Sequence, residues 1–171
     1  MASDELDKVE LPALEQLQSL GWSYLEGAQL SPDESDERSS LKDVVLEKRL
    51  TESLQRINPW INDENLRKVV RDLTKTQHVN LVEANQTIWT QINQSVSVMQ
   101  DLGKGNKGQT VHIIDFDNPD NNEFLCTNQF KVSGVNQNII PDILCFVNGL
   151  PLAVIECKSP YITNPMEAGI D

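Results

Sequence analysis

The hydrophobic residues of the first hundred positions recur mostly at helical spacing. Pro12 suits the first position of a helix and Gly21 suits the position just after its end, so the pattern predicts a helix over residues 11–20. Glu10 then lies at the N-terminus of this helix, where the macrodipole favours a carboxylate. The residues predicted to form the buried face are Leu14, Leu17 and Leu20.

Three further helices are predicted between residues 41 and 99. The first ends before Asn58-Pro59, because a residue that precedes proline avoids the helical conformation. Asn62 can cap the second helix, and Asn80 with Glu83 resembles a capping pair for the third. The three apolar faces are Leu41, Val44, Val45, Leu50, Leu54 and Ile57; then Leu66, Val69, Val70 and Leu73; and then Leu81, Ala84, Ile88, Ile92, Val96 and Met99.

From about residue 102 the pattern changes to short runs rich in β-branched and aromatic residues. The last two runs flank Asn148-Gly149, which is a strong hairpin signal. Helices followed by strands predict an α+β or mixed α/β domain, with a mainly helical part over 1–101, including an acidic loop over 31–40, and a sheet over 109–158. The predicted strands cover residues 110–116, 123–130, 142–147 and 152–157.

Charge argues against nucleic-acid binding by the surface of this chain alone. Its 14 Lys and Arg residues face 26 Asp and Glu residues, for a net charge of −12, and no basic cluster is evident in the sequence. Any contact with DNA is therefore expected to depend on a local metal site or on other domains and subunits. Without a secretory start or a long apolar run, we expect a cytoplasmic protein with no membrane partner.

The segment over residues 141–158 carries the most informative chemistry. Asp142 precedes an apolar hairpin that ends in Glu156 and Lys158, and alternation along a strand places these last two side chains on one face. Two carboxylates can hold Mg²⁺, and a nearby lysine can neutralise the charge that develops on a phosphate. This set of groups indicates metal-dependent phosphodiester hydrolysis. The alternative is an exposed salt bridge between Glu156 and Lys158 at a sheet edge.

The hairpin geometry constrains the catalytic interpretation. A regular two-residue turn at Asn148-Gly149 would place Asp142 opposite Ile155, on the wrong face to share a site with Glu156. We therefore expect either a three-residue loop over 148–150 or one β-bulge in the hairpin.

Pro141-Asp142 followed by Glu156-Cys157-Lys158 resembles the PD-(D/E)xK nuclease superfamily. The string over residues 141–160 is similar to the N-terminal nuclease domain of the restriction subunit of type I restriction-modification enzymes. Further similar stretches cover residues 20–22, 45–50, 57–59, 114–116, 122–124 and 128–130. The resemblance implies a restriction-endonuclease-like fold, in which helices flank a mixed central sheet with a catalytic hairpin. It also implies that residues 1–171 are one nuclease domain at the start of a longer chain.

The resemblance implies a role for each residue of the site. Asp142 and Glu156 would bind Mg²⁺ or Mn²⁺ together with the main-chain carbonyl of Cys157, and Lys158 would be the catalytic lysine. A further acidic ligand from the first helix would be Glu10, with Glu47 as the second choice. The sequence departs from the family at residues 139 and 140, where two isoleucines stand before Pro-Asp and many members carry a basic residue.

The resemblance further implies a type I site-specific deoxyribonuclease that cuts foreign double-stranded DNA. ATP-driven translocation would come from downstream motor domains absent from this chain, since the sequence has no Walker A loop and so no nucleotide-binding residues of that kind. Specificity and methylation subunits would be partners, and the fragment alone is expected to be weakly active or inactive. The alternatives are a non-catalytic docking module for partner subunits and a stand-alone repair nuclease.

Overall fold

The computed structural model describes residues 5–75, 80–134, 136–159 and 161. The chain divides into two compact units, a first unit of Met1–Val44 with Phe124–Asp171 and a second unit of Val45–Glu123. No helix in the described ranges is long and apolar enough to cross a membrane. The organisation as a single domain over 1–171, with its parts over 1–101 and 109–158, stays a prediction.

The secondary structure is mixed, as the sequence pattern predicts. The helices are α1 (Leu11–Ser19), α2 (Glu47–Ile57), α3 (Asp63–Thr74) and α4 (Leu81–Gln94), and a π-helical turn, Leu6–Glu10, precedes α1. The strands are β1 (Ser23–Glu26), β2 (Val96–Asp101), β3 (Asn106–Val111), β4 (Phe124–Asn128), β5 (Val132–Ser133), β6 (Asn138–Ile139), β7 (Ile143–Val147) and β8 (Leu150–Ile155). Short 3₁₀ turns cover Gly27–Leu30 and Pro119–Asn121.

The first unit is built on a four-stranded mixed sheet in the order β1-β4-β7-β8. Strands β1 and β4 are parallel, whereas β4–β7 and β7–β8 are antiparallel. Every residue of β7 is buried, while most of β8 is exposed at the sheet edge. The predicted mixed sheet with its hairpin is therefore confirmed.

Helix α1 packs on one face of this sheet through Leu14, which is buried with Cys126, Ile143, Cys145 and Cys157. Gly21 follows the helix with a φ of +94°, a conformation that glycine adopts without strain. The predicted burial of Leu20 is wrong, because the helix ends at Ser19 and the Leu20 side chain is 68% exposed. The opposite face of the sheet buries Phe130 and Phe146, whose ring centroids lie 5.4 Å apart.

The acidic segment over residues 31–40 has no helix or strand, yet it is anchored by one buried cation. Arg38 is only 5% exposed and donates hydrogen bonds to the carbonyls of Leu30 and Lys131, both at 2.8 Å, and of Asp43 at 3.3 Å. Its guanidinium also lies 3.9 Å from the centroid of the Phe130 ring. Burial lowers the pKa of Arg38, and the charge of Asp43 opposes that shift. The segment is therefore less solvated than its composition predicts.

The second unit packs α2 against α3 and carries the antiparallel pair β2–β3. The side chains of Asn62 and Asn80 accept hydrogen bonds from the main chain of the following turn, so both residues cap their helices as predicted, while the pairing of Asn80 with Glu83 stays a prediction. Helix α2 begins only at Glu47, so the predicted helical face over 41–45 lies before it. Strand β3 likewise ends at Val111 instead of covering residues 110–116.

The predicted end of the third of these helices is wrong. Helix α4 ends at Gln94, Ser95 adopts a φ of +65°, and residues 96–101 form β2. Val96 and Met99 keep helical spacing with Ile92, but the alternation that places Val98 inward and Met99 outward fits a strand. The hydrophobic residues of this segment fit both a helical and a strand periodicity, and the hydrogen-bonded pairing of β2 with β3 favours the strand.

Candidate functional site

The β7–β8 hairpin changes register once along its length. Near the turn Val147 pairs with Leu150, which leaves the two-residue loop Asn148-Gly149, and at the far end Ile143 pairs with Ile155. Both loop residues have positive φ, as the favoured two-residue hairpin turns require. The two ends of the hairpin therefore differ in register by one residue.

Leu152 is the residue that produces this difference. Phe146 pairs with Pro151 and Cys145 pairs with Ala153, so Leu152 has no partner in the register and forms a bulge. Continuing the shifted register by one residue places Asp142 opposite Glu156. Of the two predicted alternatives, the structure thus contains the β-bulge and not the three-residue loop over 148–150.

Asp142 and Glu156 lie opposite each other at the end of the hairpin, and their side chains interact. Burial raises the pKa of Glu156, and the negative charge of Asp142 and a hydrogen bond between the two side chains raise it further. Two carboxyl groups within hydrogen-bonding distance repel when both are ionised, so this position favours a proton or a cation between them. The structure therefore brings together the two acids that the sequence predicts.

Asp142 is also tied to the main chain on both sides. Its Oδ2 accepts a hydrogen bond of 2.6 Å from the main-chain N–H of Cys157, across the open end of the hairpin. Its carbonyl oxygen accepts another, of 3.2 Å, from the main-chain N–H of Gln129, just beyond β4. These bonds fix the aspartate relative to both neighbouring segments.

Lys158 lies near this pair, three residues after the end of β8. Its side chain is half-buried, and its positive charge lowers the pKa of Glu156, against the stronger effects of burial and of Asp142. The ammonium group of Lys158 is therefore close enough to Glu156 to affect its ionisation. The sequence predicts that these two side chains share one face. All three predicted catalytic residues lie in one short region of the first unit.

Cys157 is surrounded by carboxylates. Its thiol is only 3% exposed, and burial raises its pKa to about 11, with further contributions from Asp142, Glu10, Glu5 and Glu156. The negative charges of four carboxylates are thus felt at Cys157, and their mutual repulsion is unfavourable unless a positive charge compensates it. The buried thiol itself packs with Leu14 and Ile143 in the core.

Glu10 is 4% exposed and its carboxylate is held by a polar chain that the sequence does not reveal. Asn128 donates a hydrogen bond of 2.9 Å from Nδ2 to Oε1 of Glu10, and Tyr24 donates one of 2.8 Å to Oδ1 of Asn128. Glu10 makes no capping hydrogen bond to α1, so its partner is this asparagine at the end of β4. No spacing in the sequence links the three residues, which come from separate elements of the first unit.

Glu5 is a second acidic residue near the site that sequence analysis missed. Its Oε2 accepts a hydrogen bond of 2.9 Å from the main-chain N–H of Ser159, one residue beyond Lys158. Its charge also contributes to the raised pKa values of Glu156 and Cys157. Glu5 therefore holds the segment that carries the lysine.

The donor set suits a hard divalent cation, because two neighbouring carboxylates are joined by the main-chain carbonyl of Cys157, the residue directly after Glu156. Within the described ranges, no group of three or more His, Cys, Asp or Glu side chains is arranged to hold a metal ion. Glu10 as an additional ligand stays a prediction, and Glu47, the second choice, lies in the first turn of α2 in the second unit.

The chain matches one family over nearly its whole length. Residues 3–171 match the model of the type I restriction enzyme R protein N terminus. The chain is 36% identical over 154 residues to the type I restriction enzyme HindI endonuclease subunit of Haemophilus influenzae. It is 34% identical over 155 residues to a protein of Methanocaldococcus jannaschii that is provisionally named the type I restriction enzyme MjaIXP endonuclease subunit. Each alignment covers 89% of this chain but only 15% of the relative.

Proposed function

Because this chain belongs to the family of type I restriction enzyme R protein N-terminal regions, we propose that its first unit carries a metal-dependent DNA endonuclease site. Two of its relatives carry the name endonuclease subunit, and the site described above has the groups that phosphodiester hydrolysis needs. The register that places Asp142 opposite Glu156, produced by the Leu152 bulge, is the observation that carries the proposal.

Mg²⁺ or Mn²⁺ is the proposed cofactor, held by Asp142, Glu156 and the main-chain carbonyl of Cys157. A divalent cation at such a site stabilises negative charge on a phosphate and lowers the pKa of a bound water. The charge balance supports this assignment, because the field of four carboxylates around Cys157 is relieved by a cation. Hard oxygen donors also match the preference of these ions over softer metals.

The chain's own residues have separate roles in this proposal. The hydrogen bond from the Cys157 N–H fixes one oxygen of Asp142 and so orients the carboxylate. The ammonium group of Lys158 neutralises charge on the attacked phosphate and orients the nucleophilic water. Glu5 is a positioning residue, because its bond to the Ser159 N–H limits the movement of the segment that carries Lys158.

The activity of the whole protein is part of the same proposal. The chain spans about 15% of the length of the relatives it matches. Cleavage of foreign double-stranded DNA, ATP-driven translocation by downstream motor domains, and assembly with specificity and methylation subunits would belong to the complete enzyme. A cytoplasmic location follows from that role. The chain alone is expected to cut DNA weakly, because its net charge of −12 opposes DNA binding.

The test is Asp142→Asn in the complete enzyme. Asparagine has nearly the same shape but lacks the charge, so DNA cleavage is expected to be lost while ATP hydrolysis continues. Glu15→Gln removes one charge from an exposed position of α1 and is expected to leave cleavage unchanged. Cleavage by the Asp142→Asn enzyme at the wild-type rate would refute the assignment of the site, and the chain would then fit the docking module better.

A further inference from the structure

The second unit contains a row of exposed cations. Arg67, Arg71 and Lys75 recur every four residues along α3 and its C-terminal end, so they lie on one side of the helix. All three side chains are exposed, and the Arg71 side chain is 63% exposed. We refer to these three residues as the α3 stripe.

The α3 stripe borders a shallow cavity of about 240 Å³ between α2 and α3. Thr51 and Glu47 line it from α2, and Val70 and Thr74 complete the lining from α3. Glu47 is the only carboxylate among the lining residues. The cavity is therefore a predominantly basic surface on a chain whose net charge is strongly negative.

The arginines of the stripe differ from the other arginines of the chain in the contacts of their guanidinium groups. Arg38 is buried against main-chain carbonyls, Arg49 forms an ion pair with Glu123, and Arg56 donates to the carbonyl of Asn121. Arg71 has a long contact of 3.7 Å to its sequence neighbour Asp72, whose side chain is 41% exposed. The guanidinium groups of the stripe are thus accessible to an external anion.

Charge is distributed unevenly between the units. The second unit carries 9 of the 14 Lys and Arg residues and 11 of the 26 Asp and Glu residues, so its net charge is −2, compared with −10 for the first unit. Repulsion of a polyanion is therefore weakest in the second unit. The stripe supplies local positive charge on that unit.

We propose that the α3 stripe binds the phosphate backbone of double-stranded DNA, an inference that rests on the proposed endonuclease function. From residue 67 to residue 74 the helix rises by about 10 Å, and Lys75 follows directly after its end. A duplex carries roughly one negative charge per 1.7 Å of axis, so several phosphates lie opposite a stripe of this length. Arginine guanidinium groups bind phosphate oxygens in bidentate fashion, and such contacts depend on salt but not on base sequence.

The direct test measures binding of this chain to a fluorescein-labelled 30-base-pair duplex by fluorescence anisotropy, in EDTA and over a series of KCl concentrations. The triple variant Arg67→Ala/Arg71→Ala/Lys75→Ala is compared with Lys42→Ala/Lys104→Ala/Lys107→Ala, which removes the same charge from exposed loop and strand positions. The stripe variant is expected to bind at least about tenfold more weakly, with a salt slope smaller by about 2 to 3. Equal weakening by both triples, or no measurable binding by the unmodified chain at low salt, would overturn the proposal.

Glu47→Gln provides a second test, because a misfolded variant is not expected to bind DNA more tightly. Removing the one carboxylate of the cavity is expected to strengthen DNA binding severalfold, and unchanged or weaker binding would contradict the proposal. Glu15→Gln removes a carboxylate from an exposed position of α1 in the first unit and is expected to bind DNA like the unmodified chain. Loss of cleavage in the Asp142→Asn enzyme concerns the endonuclease proposal, whereas loss of DNA binding in the stripe variant concerns this one, so the two can fail separately.

Discussion

The main-chain N–H of Cys157 donates a hydrogen bond of 2.6 Å to Oδ2 of Asp142, across the open end of the β7–β8 hairpin. This bond joins the residue before β7 to a residue after β8, so the position of the aspartate depends on how the two strands are aligned. The alignment in turn depends on the single bulge at Leu152. A main-chain feature of an exposed strand therefore determines whether the two acids meet.

Inserting one alanine directly after Leu152 is expected to abolish DNA cleavage by the complete enzyme. With this additional residue in β8, a hairpin that keeps its turn and a single bulge places Asp142 opposite Ile155, on the face away from Glu156. Leu152 is 44% exposed, so Leu152→Ala, which keeps both the bulge and the register, is expected to retain cleavage and lose less than about 1 kcal/mol of stability. Cleavage by the insertion variant at the rate of Leu152→Ala would show that the register of the hairpin does not determine the site.

Lys158→Ala is expected to have opposite effects on catalysis and on cation binding. Cleavage should fall by about 100-fold or more, because the group that neutralises the phosphate is lost. Mn²⁺ binding should become somewhat tighter, since Lys158 no longer repels the ion from the neighbouring carboxylates. Calorimetric titration and a plasmid cleavage assay measure the two effects, and a parallel loss of both would indicate that Lys158 has a structural role.

Arg38→Ala is expected to lower the free energy of unfolding by about 3 kcal/mol, because three main-chain carbonyls lose a charged donor in a buried place. Arg38→Lys should recover little of this, since one ammonium group does not reproduce the guanidinium's planar set of donors. The exposed Arg67→Ala is the control and should stay within about 0.5 kcal/mol of the unmodified chain in urea unfolding. Equal stability of the Arg38→Ala and Arg67→Ala variants would contradict the anchoring role.

Stability is expected to decrease in alkaline solution through Cys126. Burial raises the pKa of this thiol to about 11 from its ordinary value of 9.0, so the folded state retains a proton that the unfolded chain loses first. The contribution of the protonated Cys126 thiol to stability is complete below the ordinary pKa of 9.0 and declines as the pH rises toward 11. Between about pH 8 and about pH 10.5, urea unfolding should show a loss about 2 kcal/mol larger for the unmodified chain than for Cys126→Ala. Equal losses of unfolding free energy in the two proteins would contradict the raised pKa of the Cys126 thiol.

Much of the site could be predicted because it depends on local rules. The Asn148-Gly149 turn fixes one end of the hairpin, and alternation along the strand then requires a bulge if Asp142 and Glu156 are to share a face. The helix caps at Asn62 and Asn80 are also local, since each side chain bonds to the next turn of its own helix.

The features that sequence analysis missed depend on contacts between distant segments. The chain from Tyr24 through Asn128 to Glu10 joins residues more than a hundred positions apart, and neither spacing nor composition indicates it. Arg38 lies in an acidic segment whose composition resembles a solvated loop, and only Phe130 and the carbonyl of Lys131 show why it is buried. These interactions become visible only when the sheet is assembled.

Calorimetric titration of the chain with Mn²⁺ tests the central claim most directly, namely that Asp142 and Glu156 jointly hold a divalent cation. We predict weak but measurable binding that Asp142→Asn and Glu156→Gln each abolish, while Glu15→Gln, which removes the same charge from an exposed position of α1, binds like the unmodified chain. Binding that survives both substitutions, or that Glu15→Gln weakens as strongly, would contradict the account.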